Sequence, residues 1–220
     1  MTSSGAATLA AASVDFNLAP IATVDPSWLS AMAHGALIEQ LRGEPAAQGW
    51  LSAHLLGKFD ISDAYWTDFG PSRHRLALVD PPILQLLCLR LGLVLRGEEV
   101  RREIDGARLK ALAARIGEDN LQFAVRAAPL LGRPPAFDYE SGIREVRLRY
   151  MMIGAAFALP SVAMADRGYA TRVALRLPRE MHEELFGLAA LRPASEEPTL
   201  PTLAKRILRE VGPSWLPLFD

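Results

Sequence analysis

The run from Pro81 to Arg102, PPILQLLCLRLGLVLRGEEVRR, constrains this chain more than any other stretch. Between Ile83 and Leu95 only Gln85, Arg90 and Gly92 interrupt the apolar residues. Asp80 followed by Pro81 marks a helix start, with a side-chain acceptor at the N-cap and a proline where no N–H is needed. Leu84, Leu87, Leu91 and Leu95 keep the spacing of one helix face, and Leu86, Leu89, Leu93 and Val94 cover most of the rest. A helix apolar nearly all round is a buried helix. At about 1.5 Å per residue the run reaches roughly 20 Å, against roughly 30 Å of hydrocarbon in a bilayer. The pattern therefore predicts a central core helix over about 81–96 and no direct membrane insertion.

Two residues inside it carry further information. Gly92 costs about 1 kcal/mol relative to Ala in a helix interior, and close approach of another backbone would offset that. Arg90 has Leu86, Leu87, Leu93 and Val94 as its three- and four-residue neighbours. A buried charge is costly unless paired. Arg90 either finds an acidic partner inside the protein or reaches the surface and meets one there.

The rest of the chain is helical in pattern. Asp25–Pro26 repeats the acidic cap, with Trp28, Met32, Ile38 and Leu41 in a loose amphipathic helix that stops near Gly43. A second helix runs from about Pro45 to Leu56. Residues 57–80 read as a long loop whose aromatics, Phe59, Tyr65, Trp66 and Phe69, form either a lid on the core or a contact surface. Further helices are expected over Glu98 to Ile104, around Leu109 to Ile116 ending at Gly117, and from Leu121 to Ala128. Gly132, Pro134 and Pro135 form a stiff connector, a possible subdivision near 132–138. Asp138 is the expected cap of a long helix carrying Ile143, Val146, Tyr150, Gly154 and Phe157, ended or kinked by Pro160. Val173, Leu175 and Leu177 alternate with polar or small residues, which predicts at most one short extended segment near 172–177. Pro178 to Leu191 can form a helix, Pro193 to Pro198 a polar loop, and Pro201 to Val211 a last helix with Leu203, Ile207 and Val211 inward. The fold class is all-α, an irregular helical domain over 15–220 after a disordered tail over 1–14.

Charge is balanced overall and uneven along the chain. The net charge of −1 gives no reason to expect nucleic acid. Residues 1–70 hold seven acids and two bases, net −5, and the remainder 18 acids and 22 bases, net +4. Such polarity steers the two ends toward oppositely charged partners, or simply toward each other. Cys88 is the only cysteine, so no intrachain disulfide forms, as suits a reducing cytoplasm.

Catalytic patterns are missing. The four histidines, His34, His54, His74 and His182, are scattered, and His182–Glu183–Glu184 lacks the second histidine of a zinc-protease helix. Gly57–Lys58 leads into Phe59 without the glycine spacing of a phosphate loop. No nucleophile elbow or dinucleotide turn occurs. Neither a cofactor, a metal nor an enzymatic activity is expected.

The central block, Leu86–Leu87–Cys88, Arg90 to Leu95, Gly97–Glu98 and Arg101–Arg102, resembles that of the YscK/SctK family. These are accessory sorting-platform proteins of bacterial type III secretion systems. Leu130–Leu131–Gly132, Gly154 to Phe157, Leu175 to Pro178 and a basic C-terminal helix before Leu218–Phe219 follow in the same order. The resemblance implies a non-enzymatic adaptor at the cytoplasmic face of the inner membrane. Its implied partners are the forkhead-associated-like cytoplasmic domain of the ring protein SctD and the platform protein SctQ, and indirectly the stator SctL and the ATPase SctN. A helical secretion chaperone or regulator that binds an export substrate is the alternative. The expected contact residues are Asp60, Asp63, Tyr65, Trp66 and Phe69 on an acidic, aromatic face, and Lys205, Arg206 and Arg209 on a basic one. Arg90, Leu91, Gly92 and Leu95 are the expected structural residues.

Overall fold

A computed structural model describes residues 3–103, 105–132, 134–191 and 198–219. In chain order the α-helices are α1 (Ser3–Leu18), α2 (Pro26–Ser30), α3 (Gly35–Leu41), α4 (Pro45–Lys58), α5 (Pro81–Leu95) and α6 (Gly97–Arg102). They continue as α7 (Gly106–Ile116), α8 (Glu118–Gln122), α9 (Val146–Ala158), α10 (Arg167–Leu175), α11 (His182–Gly187) and α12 (Thr202–Val211). Short 3-10 turns join several of them, and among the described residues there is no strand. The fold is all-α, as the periodicity predicts.

The apolar rod is central because two cores share it. Leu84, Leu87, Cys88, Leu91 and Val94 of α5 enter a main core built with α9, α10 and α12. Leu89 and Leu93, on the other side, meet Val100, Ile116, Leu121, Ala124 and Tyr150 in a second, smaller core. A helix buried from two sides has no face to leave polar, which explains its composition. Leu95, at its end, is only half-buried.

α5 packs most extensively along α9, and two glycines make the crossing possible. A Cβ on Gly92 would lie 1.9 Å from the Tyr150 carbonyl oxygen, and one on Gly154 1.8 Å from that of Cys88. The helices touch backbone to backbone, the compensation expected for Gly92. Cys88 sits at this seam, and burial pushes its thiol up to about 12, so it is an inert core residue.

Several boundaries differ from the expectation, each for a local reason. Asp80 occupies the N-cap of α5 without a side-chain cap bond. Prolines fill the first two helical positions, which removes the second-position N–H, one of the two donors a cap side chain can use. At α2 the second position is Ser27, and Asp25 does accept from its N–H at 2.9 Å. The helix expected from Trp28 to Leu41 is broken, with His34 at φ 61 between α2 and α3. A Cβ on Gly35 would meet the Leu29 carbonyl at 1.8 Å, so only glycine lets the chain fold back there.

Asp138 caps nothing. α9 starts seven residues later, where Glu145 accepts from the N–H groups of Arg147 and Leu148. Residues 134–145 form no regular helix and lie as a strap: Phe137 packs edge-on against Phe157 at 5.4 Å, and the Tyr139 hydroxyl donates to Glu184 at 2.9 Å. The extended segment expected near 172–177 is instead α10 and its exit turn, capped by Asp166. Every residue of 168–177 is buried, so its apolar residues carry no period. Where a disordered tail is expected, the alanine-rich stretch is helical, with α1 anchored by buried Phe16. Ile104 and residues 192–197, which include most of the expected polar loop, lie outside the described residues.

Candidate functional site

The segment 60–69 is fastened from below and open above. Asn17 clamps its backbone twice, accepting from the Trp66 N–H at 2.9 Å and donating to the Trp66 carbonyl at 2.8 Å. The Trp66 ring packs at 4.9 Å from Tyr169 and 5.5 Å from His74. Phe69 is 4% exposed and meets Phe16 edge-on at 5.6 Å. Trp66 and Phe69 are therefore the lid, and Phe69 has no surface to offer. Asp60, Asp63, Tyr65 and Asp68 face solvent. Asp60, at φ 55, pairs with Arg167 at 3.3 Å.

Beneath this segment lies a feature that sequence reasoning missed. Arg172 is 1% exposed, and its guanidinium donates to the carbonyls of Ala64 at 2.6 Å, Gly168 at 3.1 Å, and Asn17 and Ile61 at 3.3 Å each. Arg75 does the same for Phe69, Gly70 and Leu218, and Arg176 for Val79. Burial lowers the Arg172 pKa and pulls that of Arg176 down to about 10. A guanidinium has five donors in a fixed fork, so one can satisfy several orphan loop carbonyls. Nothing in the local sequence marks these arginines, because their partners lie up to 155 residues away.

The basic helix divides into charges that hold backbone carbonyls and one that faces solvent. The Lys205 ammonium donates to the Phe219 carbonyl at 2.6 Å, and Arg206 to those of Leu131 at 2.7 Å and Leu130 at 3.3 Å. Arg209 is exposed. The inward stripe is Ala204, Ile207 and Leu208, with Leu203 and Val211 at its flanks, a slight rotation from the expected one. α12 also resolves Arg90: the guanidinium lies 3.7 Å from Glu210 and 4.6 Å over the Phe123 ring. The partner is intramolecular.

Among the described residues the titratable groups do not converge. His34 and His54 are exposed, the latter stacked on Trp50, while His74 meets the Asp68 carbonyl at 2.7 Å and His182 packs between Trp28 and Phe186. A groove of about 600 Å³ between α6 and the strap is lined by Arg96, Glu98, Glu99, Arg101 and Arg102. Most of these already pair, Arg102 with Glu98 at 3.0 Å and Arg96 with Glu140 at 2.5 Å. Among the described residues no three His, Cys, Asp or Glu side chains come together as metal ligands would. No helix among them is long and apolar enough to cross a membrane.

What remains is a helical body with distinct surfaces, and comparison with known proteins says which body it is. The family model described as "YOP proteins translocation protein K (YscK)" matches residues 10–220. The chain belongs to the YscK family. Relatives called "Yop proteins translocation protein K", from Yersinia pseudotuberculosis serotype I (strain IP32953) and Yersinia enterocolitica, are each 30% identical over 171 residues, 77% of this chain and 79% of theirs. No solved structure gives a significant match. The YscK match extends well beyond the central leucine block, from α1 through α12.

Proposed function

We propose that this YscK-family chain is a non-enzymatic adaptor of a type III secretion sorting platform. It joins the cytoplasmic domain of an SctD-like inner-membrane ring protein to an SctQ-like platform protein, and through it to SctL and the SctN ATPase. Its place is the cytoplasmic face of the inner membrane. The observation that carries this reading is the family match across residues 10–220. The names of the Yersinia relatives, which describe translocation of Yop proteins, support the same setting.

The physical task of such an adaptor is to hold two surfaces at a fixed separation. Buried arginines that tie loops to helices, and the glycine seam between α5 and α9, suit a stiff spacer. Asp60, Asp63 and Tyr65 form the acidic face, which complements a basic partner surface. Arg209, with the neighbouring exposed arginines, belongs to the basic face. Lys205 and Arg206 support that face by holding its backbone, while Trp66 and Phe69 support the acidic one from beneath.

Pull-down with the ring-protein domain and the SctQ homologue of the same secretion system tests the reading. Asp63→Lys with Tyr65→Ala is expected to lose one partner and keep the other, with an unchanged melting temperature because both side chains face solvent. Retention of both partners by that variant would end the proposed acidic face. Capture of an export substrate in place of either component would favour the chaperone alternative.

A further inference from the structure

Leu130 is 79% exposed, and Val125 in the preceding turn 44%. Both sit where α8 leaves regular geometry: a π-helical turn over Phe123–Ala127 runs into a 3-10 turn over Ala128–Leu131, and Gly132 at φ 87 ends it. Such widened turns occur in short pieces and are frequent at functional sites.

The backbone under these side chains is fixed on both sides. Phe123, Ala124 and Ala128 point into the cores. From outside, Arg206 of α12 donates to the carbonyls of Leu130 and Leu131. Arg90 completes the brace, stacked on Phe123 and paired with Glu210 of α12. Turn and helix thus form one rigid unit that presents a leucine to water. A side chain on a braced backbone loses little conformational freedom when a partner covers it.

Basic side chains outnumber acidic ones on the turn and on α12. Arg126, Arg206 and Arg209 are exposed. Glu210 pairs with Arg90 at 3.7 Å, and the exposed acids Glu118, bonded to Gln122 at 3.0 Å, and Asp119 lie back at the start of α8. An apolar centre with a charged rim is the anatomy of a protein interface, and the sign of the rim selects the partner. One leucine and one valine offer too little apolar area to hold a bilayer without a second signal.

We infer that the turn over 125–130 and the adjoining face of α12 dock an acidic protein surface that carries an apolar slot for Leu130. This rests on the adaptor reading and specifies the chemistry of its basic face.

The test uses the full chain titrated with two purified probes, the ring-protein domain and the SctQ homologue encoded with it, at low and high salt. Vesicles rich in phosphatidylglycerol serve as a third probe. Leu130→Asp weakens one protein probe about tenfold to a hundredfold, the value of a buried leucine. Arg126→Glu combined with Arg209→Glu weakens the same probe and flattens its salt dependence. Both variants unfold at the wild-type midpoint, since all three side chains face water. Full affinity of Leu130→Asp for both proteins overturns the docking surface and leaves the adaptor reading standing. Loss of vesicle binding with protein binding intact also overturns it, in favour of a membrane contact. A wild-type chain that binds neither protein overturns the adaptor reading, and the docking surface with it.

Discussion

Gly92→Ala places a methyl group where α5 and α9 already touch. The new carbon would start 1.9 Å from the Tyr150 oxygen and 2.6 Å from its carbonyl carbon. Backbone atoms in mid-helix have no rotamer by which to retreat. Rotation of α5 is blocked as well, because Leu84 and Leu91 enter one core and Leu89 and Leu93 the other. The helices must part by more than about 1 Å, which loosens close-packed contacts along the whole seam. Overpacking typically costs ~1–3 kcal/mol, and a backbone clash belongs at or above the top of that range. Ala regains about 1 kcal/mol of helix propensity over Gly. The expected net loss is ~2–3 kcal/mol, a fall in melting temperature of roughly 4–12 °C for a chain of this size. Gly49→Ala is the control: it lies in α4 with nothing within 4 Å of the added carbon. It receives only the propensity gain and is expected to stabilise by up to ~1 kcal/mol. Urea or thermal unfolding of the two variants side by side reads the difference. A Gly92→Ala protein as stable as Gly49→Ala would refute the backbone-to-backbone crossing.

Two further outcomes follow from buried groups. Arg172→Lys keeps the charge but not the fork: with three donors on one nitrogen it cannot serve all four carbonyls at Ala64, Gly168, Asn17 and Ile61. A loss of ~2–4 kcal/mol in urea unfolding is expected, and a lysine variant with the wild-type midpoint would contradict the role assigned to the fork. Burial between Trp28 and Phe186 lowers the pKa of His182 from its ordinary 6.5. Below that value the unfolded chain binds the proton first, so the stability present above pH 6.5 declines as pH falls. His182→Gln is expected to flatten this part of the acid limb, and identical pH slopes for variant and wild type would rule the histidine out as its cause.

Legibility in the sequence followed the range of the interaction. The rod at α5 was readable because burial on all sides needs only a dense local run of apolar residues. Gly92 was readable as a contact point because glycine in a helix interior has a local cost. The start of α9 was missed because Asp138 and Glu145 look equally able to cap. The choice is made by Phe137 and Tyr139, which find Phe157 and Glu184 only in the folded chain. The aromatic segment divided in a way no period could forecast: Asn17 and Tyr169 decide that Trp66 turns inward while Tyr65 stays out. The basic helix was legible as basic, but that Lys205 and Arg206 bond to carbonyls of other segments was not. Leu130 could have been noticed as a leucine among turn residues, although its exposure depends on how α12 grips the turn.

Arginine ties that end on carbonyls separate what a position supports from what it displays. Arg206 holds Leu130 by an atom every amino acid possesses, so the brace is indifferent to the side chain above it. Residues 125 and 130 can then be rewritten without loosening the frame. A new partner could be accommodated by exchanging a few outward groups on an unchanged mount, which gives this region of the molecule unusual freedom to diverge in binding preference while the architecture stays put.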